Sequence, residues 1–99
     1  ELNDDTKPIV CNSIILDLPE PQKIINWAVK SLELGGKILC YVPTINQVEK
    51  LLVSLDKWSQ IEISESIHRT WQSRLSAIRP DTNLIGHTGF IVSARLLNK

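Results

Sequence analysis

The chain has 99 residues, 42% hydrophobic and 22% charged, which is the make-up of one small globular domain with a modest core. Its 11 basic and 11 acidic side chains cancel, so the overall charge points to no particular partner. No signal peptide is present and no apolar run approaches the roughly 20 residues of a membrane span, so the expected location is the cytoplasm, with no membrane partner.

Charge is uneven along the chain. Glu1 to Glu20 carries five acids and one lysine, whereas Ile67 to Lys99 carries five basic residues and only Asp81, which makes the carboxyl-terminal third the electropositive part. Cys11 and Cys40 have neither CxxC spacing nor an adjacent histidine. That pattern supports no zinc or redox motif and predicts two reduced, buried thiols in an intracellular protein. Methionine is absent even at position 1, so the chain reads as a piece of a longer protein.

Glu1 to Asn12, with Pro8, reads as a loop. Ile14, Ile15 and Leu16 form a short, β-branched-rich apolar run without alternation, the pattern of a strand covered on both faces in a parallel sheet. Asp17 follows it, at the edge where open α/β sheets bind ligands. The same acid is also placed to cap the next helix, and spacing does not choose between the two roles. Pro19 and Pro21 lack backbone donors and fix φ, which makes Leu18 to Pro21 stiff and extended and leaves its carbonyls free to accept from a ligand.

Pro21 opens a helix with Ile24, Ile25, Ala28, Val29 and Leu32 on its apolar face, Trp27 packing at the edge of that face, and Gly35-Gly36 as its end. Lys37 to Val42, closed by Pro43, is the next strand, and a strand-helix-strand order with short links makes the two strands parallel neighbours. Thr44 and Gln47 form a capping box for a helix to about Lys57, with Val48, Leu51, Leu52 and Leu55 inward and Trp58 over the sheet's end. Gln60 to Arg69 alternates, placing Ile61, Ile63 and Ile67 on one covered face. Gly89 to Leu97 is the last strand. No crossover helix of normal length separates it from the strand before, which predicts an antiparallel pair at the sheet's edge. The fold class is therefore α/β: parallel strands with crossover helices, ending in an antiparallel strand pair.

Three motifs stand in order on this frame: Asp17-Leu18-Pro19-Glu20-Pro21, Arg79-Pro80, and Gly86-His87-Thr88-Gly89-Phe90. Together they resemble the tRNA adenine N1-methyltransferases that modify the T-loop, and the resemblance runs from Ser13 to Arg95. It implies the carboxyl-terminal half of a Rossmann-like, class I S-adenosylmethionine-dependent catalytic domain, with residues 1–99 a single partial domain and the cofactor half upstream. Consistent with that, Gly35, Gly36, Gly86 and Gly89 build no GxGxxG turn between a strand and a helix. The resemblance also implies that Asp17 is catalytic, that Asp17, Leu18 and Pro19 border the cofactor, and that Pro19, Pro21, Arg69, Arg79, His87 and Thr88 face the substrate RNA. The implied partners are tRNA and further copies of the chain, as a homotetramer, and no metal is implied. Alone, this chain is expected to be inactive and to bind the cofactor poorly. One position departs from the family pattern: Gln22 follows the motif where an aromatic is usual, which bears on substrate packing.

The chemistry of such a site is simple to state. Neutral adenine keeps a lone pair on N1, so the protein has to align it and favour the positive charge that develops on the ring. A carboxylate at Asp17 that accepts from the exocyclic N6 amino group does both, with carbonyls near Leu18 and Pro19 as a second acceptor. The base must first be swung out of the folded tRNA. His68 to Pro80, with Arg69, Trp71, Arg74 and Arg79, is the RNA-facing candidate; its alternative is a solvated surface with Trp71 in the core. His87 is expected to fix a loop near the active edge or to meet another subunit, with Gly86 and Gly89 permitting a tight turn. Two other functions remain open on sequence: another Rossmann-like methyltransferase with a different substrate, and a non-catalytic RNA-binding subunit.

Overall fold

The computed structural model describes the backbone of residues 2–74 and 77–99 and the side chains of residues 2–66 and 89–99. The elements in chain order are β1 (Cys11–Leu16), a 3-10 turn (Pro21–Ile24), α1 (Ile25–Ser31), β2 (Leu32–Val42), α2 (Ile45–Ser54), β3 (Ser59–Arg74) and β4 (Ala77–Arg95). The strands form one sheet in the order β1-β2-β4-β3. β1 and β2 are parallel, with Ile14 opposite Ile38 and Leu16 opposite Cys40, as the helical crossover between them requires. β4 runs antiparallel to both of its neighbours, so the last strand slots between β2 and β3. The α/β class and the antiparallel ending expected from the sequence are both present.

The core lies on the sheet face that carries the helices. Ile14, Ile38 and Ala94 form one buried row across the strands, and Leu16, Cys40 and Val92 form the next. Ile24, Ile25, Ala28, Val48, Leu51 and Leu55 close over them. Each large aliphatic side chain removed from water here contributes roughly 1.5–3 kcal/mol. The other face is different: Ile15 is 75% exposed, so β1 is covered on one face among the described residues, not two. Ile63, on the helix-bearing face opposite Val92, is 48% exposed and Ile61 is also exposed, because α2 lies over β2 and β4 and stops short of β3. Residues 61–65 of β3 are exposed at every position, so the covered face expected for Ile61 and Ile63 is open.

Three local expectations are corrected. α1 ends at Ser31, because Leu32 turns extended (φ −75°, ψ 138°) to pair with Cys11. Gly35-Gly36 accordingly sits inside β2 and not at a helix end. There the Gly35 N–H donates to the Leu96 carbonyl (2.6 Å), the Leu96 N–H donates to Gly36 (2.9 Å), and Arg95 Nη1 donates to the Gly35 carbonyl (2.8 Å). A Cβ on Gly36 would stand 2.8 Å from both the Glu33 carbonyl oxygen and Leu32 Cδ2, so no side chain fits. α2 stops at Ser54, short of Lys57, with Leu55 as its C-cap.

The N-terminal segment is tied to α1 by an acid that sequence spacing did not nominate. Ile24, the N-cap of α1, offers no side-chain bond. Asp4 Oδ1 instead accepts from the Trp27 N–H (3.3 Å), Asp4 Oδ2 accepts from Asn26 Nδ2 (3.3 Å), and Trp27 Nε1 donates to the Lys7 carbonyl (3.2 Å). A free helix-start donor is thereby satisfied from a distance. Asp4→Ala is expected to cost about 1 kcal/mol, the usual value of a lost cap, read as a lower denaturant midpoint. An unchanged midpoint would mean that the contact contributes nothing.

Both cysteines are free; Cys40 is buried and Cys11 half-buried. Burial pushes the Cys40 thiol up to about 12, so it stays protonated as a small apolar core residue. No helix among the described residues is long and apolar enough to cross a membrane.

Candidate functional site

β1 and β2 reach their carboxyl ends side by side, since Leu16 pairs with Cys40. Asp17 and Leu18 leave the end of β1 where Tyr41 and Val42 complete β2. Asp17, Leu18, Pro19, Tyr41, Pro43 and Gln47 line an open cleft of about 340 Å³ there. Leu18 and Pro19 are the wall between this cleft and a hollow of about 350 Å³ bounded by Leu2, Asn3, Glu20, Lys23 and Ile24.

Asp17 is exposed at the cleft mouth and makes no hydrogen bond or ion pair among the described residues. It is not a helix cap. Glu20 holds the N-cap position of the 3-10 turn without a side-chain bond, and α1 receives its acid from Asp4. The helix-cap alternative for Asp17 therefore falls away, and a carboxylate with no partner among the described residues stands at the sheet edge where ligands bind in this fold class. No group of three or more described histidine, cysteine, aspartate or glutamate residues is arranged to hold a metal ion.

The rest of the Leu18 to Pro21 segment needs revision. The Pro19 carbonyl is not free, because Gln47 Nε2 donates to it at 2.9 Å. Pro21 begins the 3-10 turn with its ring fully buried, and a buried ring presents no surface to RNA, so the RNA-facing role expected of it is withdrawn. Gln47 itself was legible only as half of a capping box. That box is present, with Thr44 Oγ1 accepting from the Gln47 N–H (3.3 Å) and Gln47 Oε1 accepting from the Thr44 N–H (3.2 Å). Its second bond, to a carbonyl 28 residues away, leaves no mark in local sequence.

Gly86 to Gly89 is not a tight turn. It lies within β4, where Ser66 opposes Gly89 and Ile67 opposes His87, so Thr88 is an extra residue in the ladder, a β-bulge. Gly89 has a steric reason to be glycine: a Cβ there would stand 2.5 Å from Tyr41 Oη and 2.6 Å from Cζ, inside the ring that walls the cleft. β4 pairs with β2 only from Phe90, opposite Val42, to Arg95. The earlier part of β4 therefore continues with β3 past the carboxyl edge on which Asp17 stands. The side chains of Arg69, Trp71, Arg74, Arg79, His87 and Thr88 lie outside the described residues.

A family described as tRNA methyltransferase complex GCD14 subunit matches residues 4–82. The chain is 39% identical over 87 residues to the tRNA (adenine(57)-N(1)/adenine(58)-N(1))-methyltransferase TrmI of Methanocaldococcus jannaschii, covering 84% of this chain and 30% of that protein. It is 30% identical over 86 residues to the tRNA (adenine(58)-N(1))-methyltransferase TrmI of Thermus thermophilus, covering 85% of this chain and 34% of that protein. Among solved structures, the tRNA (m1A58) methyltransferase TrmI from Aquifex aeolicus superposes with a TM-score of 0.80 at 28% identity, covering 97% of this chain and 40% of that one. The chain thus spans about a third of the length of these curated relatives (30% and 34%).

Proposed function

This chain belongs to the tRNA methyltransferase complex GCD14 subunit family, and on that premise we propose that it is the carboxyl-terminal half of a catalytic domain that methylates N1 of adenine in tRNA. The observation that carries the reading is the Asp17 carboxylate, without a partner among the described residues, at the mouth of the cleft between the ends of β1 and β2. The open side of β1, where Ile15 is exposed, supports a partner layer supplied by upstream sequence.

The methyl donor is S-adenosylmethionine, which brings an electrophilic methyl group to the cleft when bound. The residues present fit one flank of it: Asp17, Leu18 and Pro19 would border the methyl-bearing end. All four glycines belong to β2 and β4, so this chain contributes no glycine turn for the rest of the molecule. What the chain's own residues do is bind and orient the base. Asp17 accepts from the adenine N6 amino group, turns N1 toward the methyl group and favours the ring cation that forms. Leu18 and Tyr41 wall the base against water. The Pro19 carbonyl, already engaged by Gln47, serves as scaffold.

Arg69 and Arg79, with His87 and Thr88, lie on the strand pair that continues past this edge. We assign them to contact with the tRNA backbone around the extruded base. The parent is read as a cytoplasmic homotetramer.

The test is methyl transfer from labelled S-adenosylmethionine to unmodified tRNA, by this chain and by the polypeptide extended upstream. Only the extended polypeptide is expected to transfer. Tight tRNA binding without transfer by the extended polypeptide would replace the reading with a non-catalytic RNA-binding subunit.

A further inference from the structure

We propose that Gln47 is a positioning residue for Asp17: its side-chain amide fastens the segment after β1 to the start of α2 and so sets where the carboxylate stands. The inference rests on the reading of Asp17 as the acceptor for the base. The two ends of the amide are used differently. Oε1 faces the Thr44 N–H (3.2 Å) and the Thr44 hydroxyl (2.8 Å), and because a backbone N–H can only donate, the oxygen must point that way. Nε2 is then left facing the Pro19 carbonyl at 2.9 Å, which can only accept.

A capping box is served equally well by glutamate at this position. Only an amide can both cap α2 and donate to Pro19. The segment is otherwise held by the half-buried Leu18, the buried Pro21 ring and local Glu20–Lys23 contacts. Pro19 itself has no N–H, and among the described residues its carbonyl bond to Gln47 is the hydrogen bond that links this segment to α2. Proline at 19 fixes its own φ and restricts Leu18 before it, so fewer torsions than usual separate the Pro19 carbonyl from Asp17. Gln47 and Asp17 line the same cleft, so the tether and the group it positions share one wall. A misplacement on the order of 1 Å can cost about a hundredfold in rate.

The experiment compares Gln47→Glu, Thr44→Val and Asp17→Asn in the extended polypeptide. Gln47→Glu keeps the capping acceptor but sets a carboxylate oxygen against the Pro19 carbonyl. Its expected signature is a thermal midpoint near wild type, a KM for tRNA and an affinity for S-adenosylmethionine near wild type, and a kcat lower by about tenfold to a hundredfold. Thr44→Val should do the reverse, lowering the midpoint while largely sparing kcat. Should Gln47→Glu not accumulate as folded protein, Gln47→Met removes both the donor to Pro19 and the capping acceptor without adding charge, and its kcat loss beyond that of Thr44→Val reports the tether.

Wild-type kcat in Gln47→Glu, or a kcat loss that only tracks a loss of stability, would overturn the proposal. So would failure of both Gln47 variants to fold, which would make the residue structural. If Asp17→Asn is impaired in those cases, the reading of Asp17 survives them. Full turnover in Asp17→Asn instead removes the reading on which the proposal stands.

Discussion

In the extended polypeptide, Asp17→Ala is expected to lower kcat roughly a hundredfold or more and to leave the affinity for S-adenosylmethionine near wild type. The size follows from what is lost. Asp17 is the unpartnered carboxylate on the cleft, so no neighbouring acid among its lining residues replaces it as acceptor for N6 or as counter-charge for the ring. The specificity of the effect follows from its setting. Asp17 bonds to nothing else among the described residues and caps no helix, so truncating it leaves no buried group stranded and stability should hardly change. Asp17→Asn separates charge from shape, since the amide still accepts but carries no charge, and should fall between alanine and wild type. Turnover equal to wild type in Asp17→Ala would remove the residue from the mechanism.

Gly89→Ala is expected to damage both stability and turnover, because the backbone there has φ +155°, which a side chain strains, and because the space is taken. The added Cβ would lie 2.5 to 2.7 Å from three atoms of the Tyr41 ring, closer than van der Waals contact permits. Either the ring swings into the cleft or β4 moves away from β2, and overpacking of this kind costs about 1–3 kcal/mol. Tyr41 lines the cleft beside Asp17, so a displaced ring also changes the surface proposed to receive the base. Pairing the change with Tyr41→Leu, which removes the colliding atoms, should recover the part of the loss due to the collision and leave the part set by the positive φ. The double-mutant cycle therefore predicts a clear coupling between the two positions. Additive losses would mean that the glycine answers to its strand and not to the tyrosine.

The parts of this molecule legible in the sequence are those set by neighbouring residues. The strand ending at Leu16, the Thr44–Gln47 capping box and the antiparallel last strand all follow from local pattern, and all are present. The misreadings share a different cause. Leu32 has helical spacing relative to Ala28, yet pairing with Cys11 pulls it extended, so the periodicity there is overruled by a partner 21 positions away. Asp4 reaches Trp27, and Gln47 reaches Pro19, across separations that no window of local sequence contains. Ile61 and Ile63 alternate as a half-covered strand should, but α2 is too short a cover to reach them. At the site, Asp17 was visible as one of two alternatives, and it took the cap positions of Glu20 and Ile24 to decide against the helix cap.

The account turns on what the carboxyl edge of this sheet does to adenine. Its most direct test is nucleoside analysis of unmodified tRNA after incubation with labelled S-adenosylmethionine and the extended polypeptide, wild type beside Asp17→Asn. The predicted result is label in N1-methyladenosine with the wild type and a large loss of it with the variant, at equal tRNA binding. Label in a different methylated nucleoside, or none at all despite tRNA binding, would contradict the account.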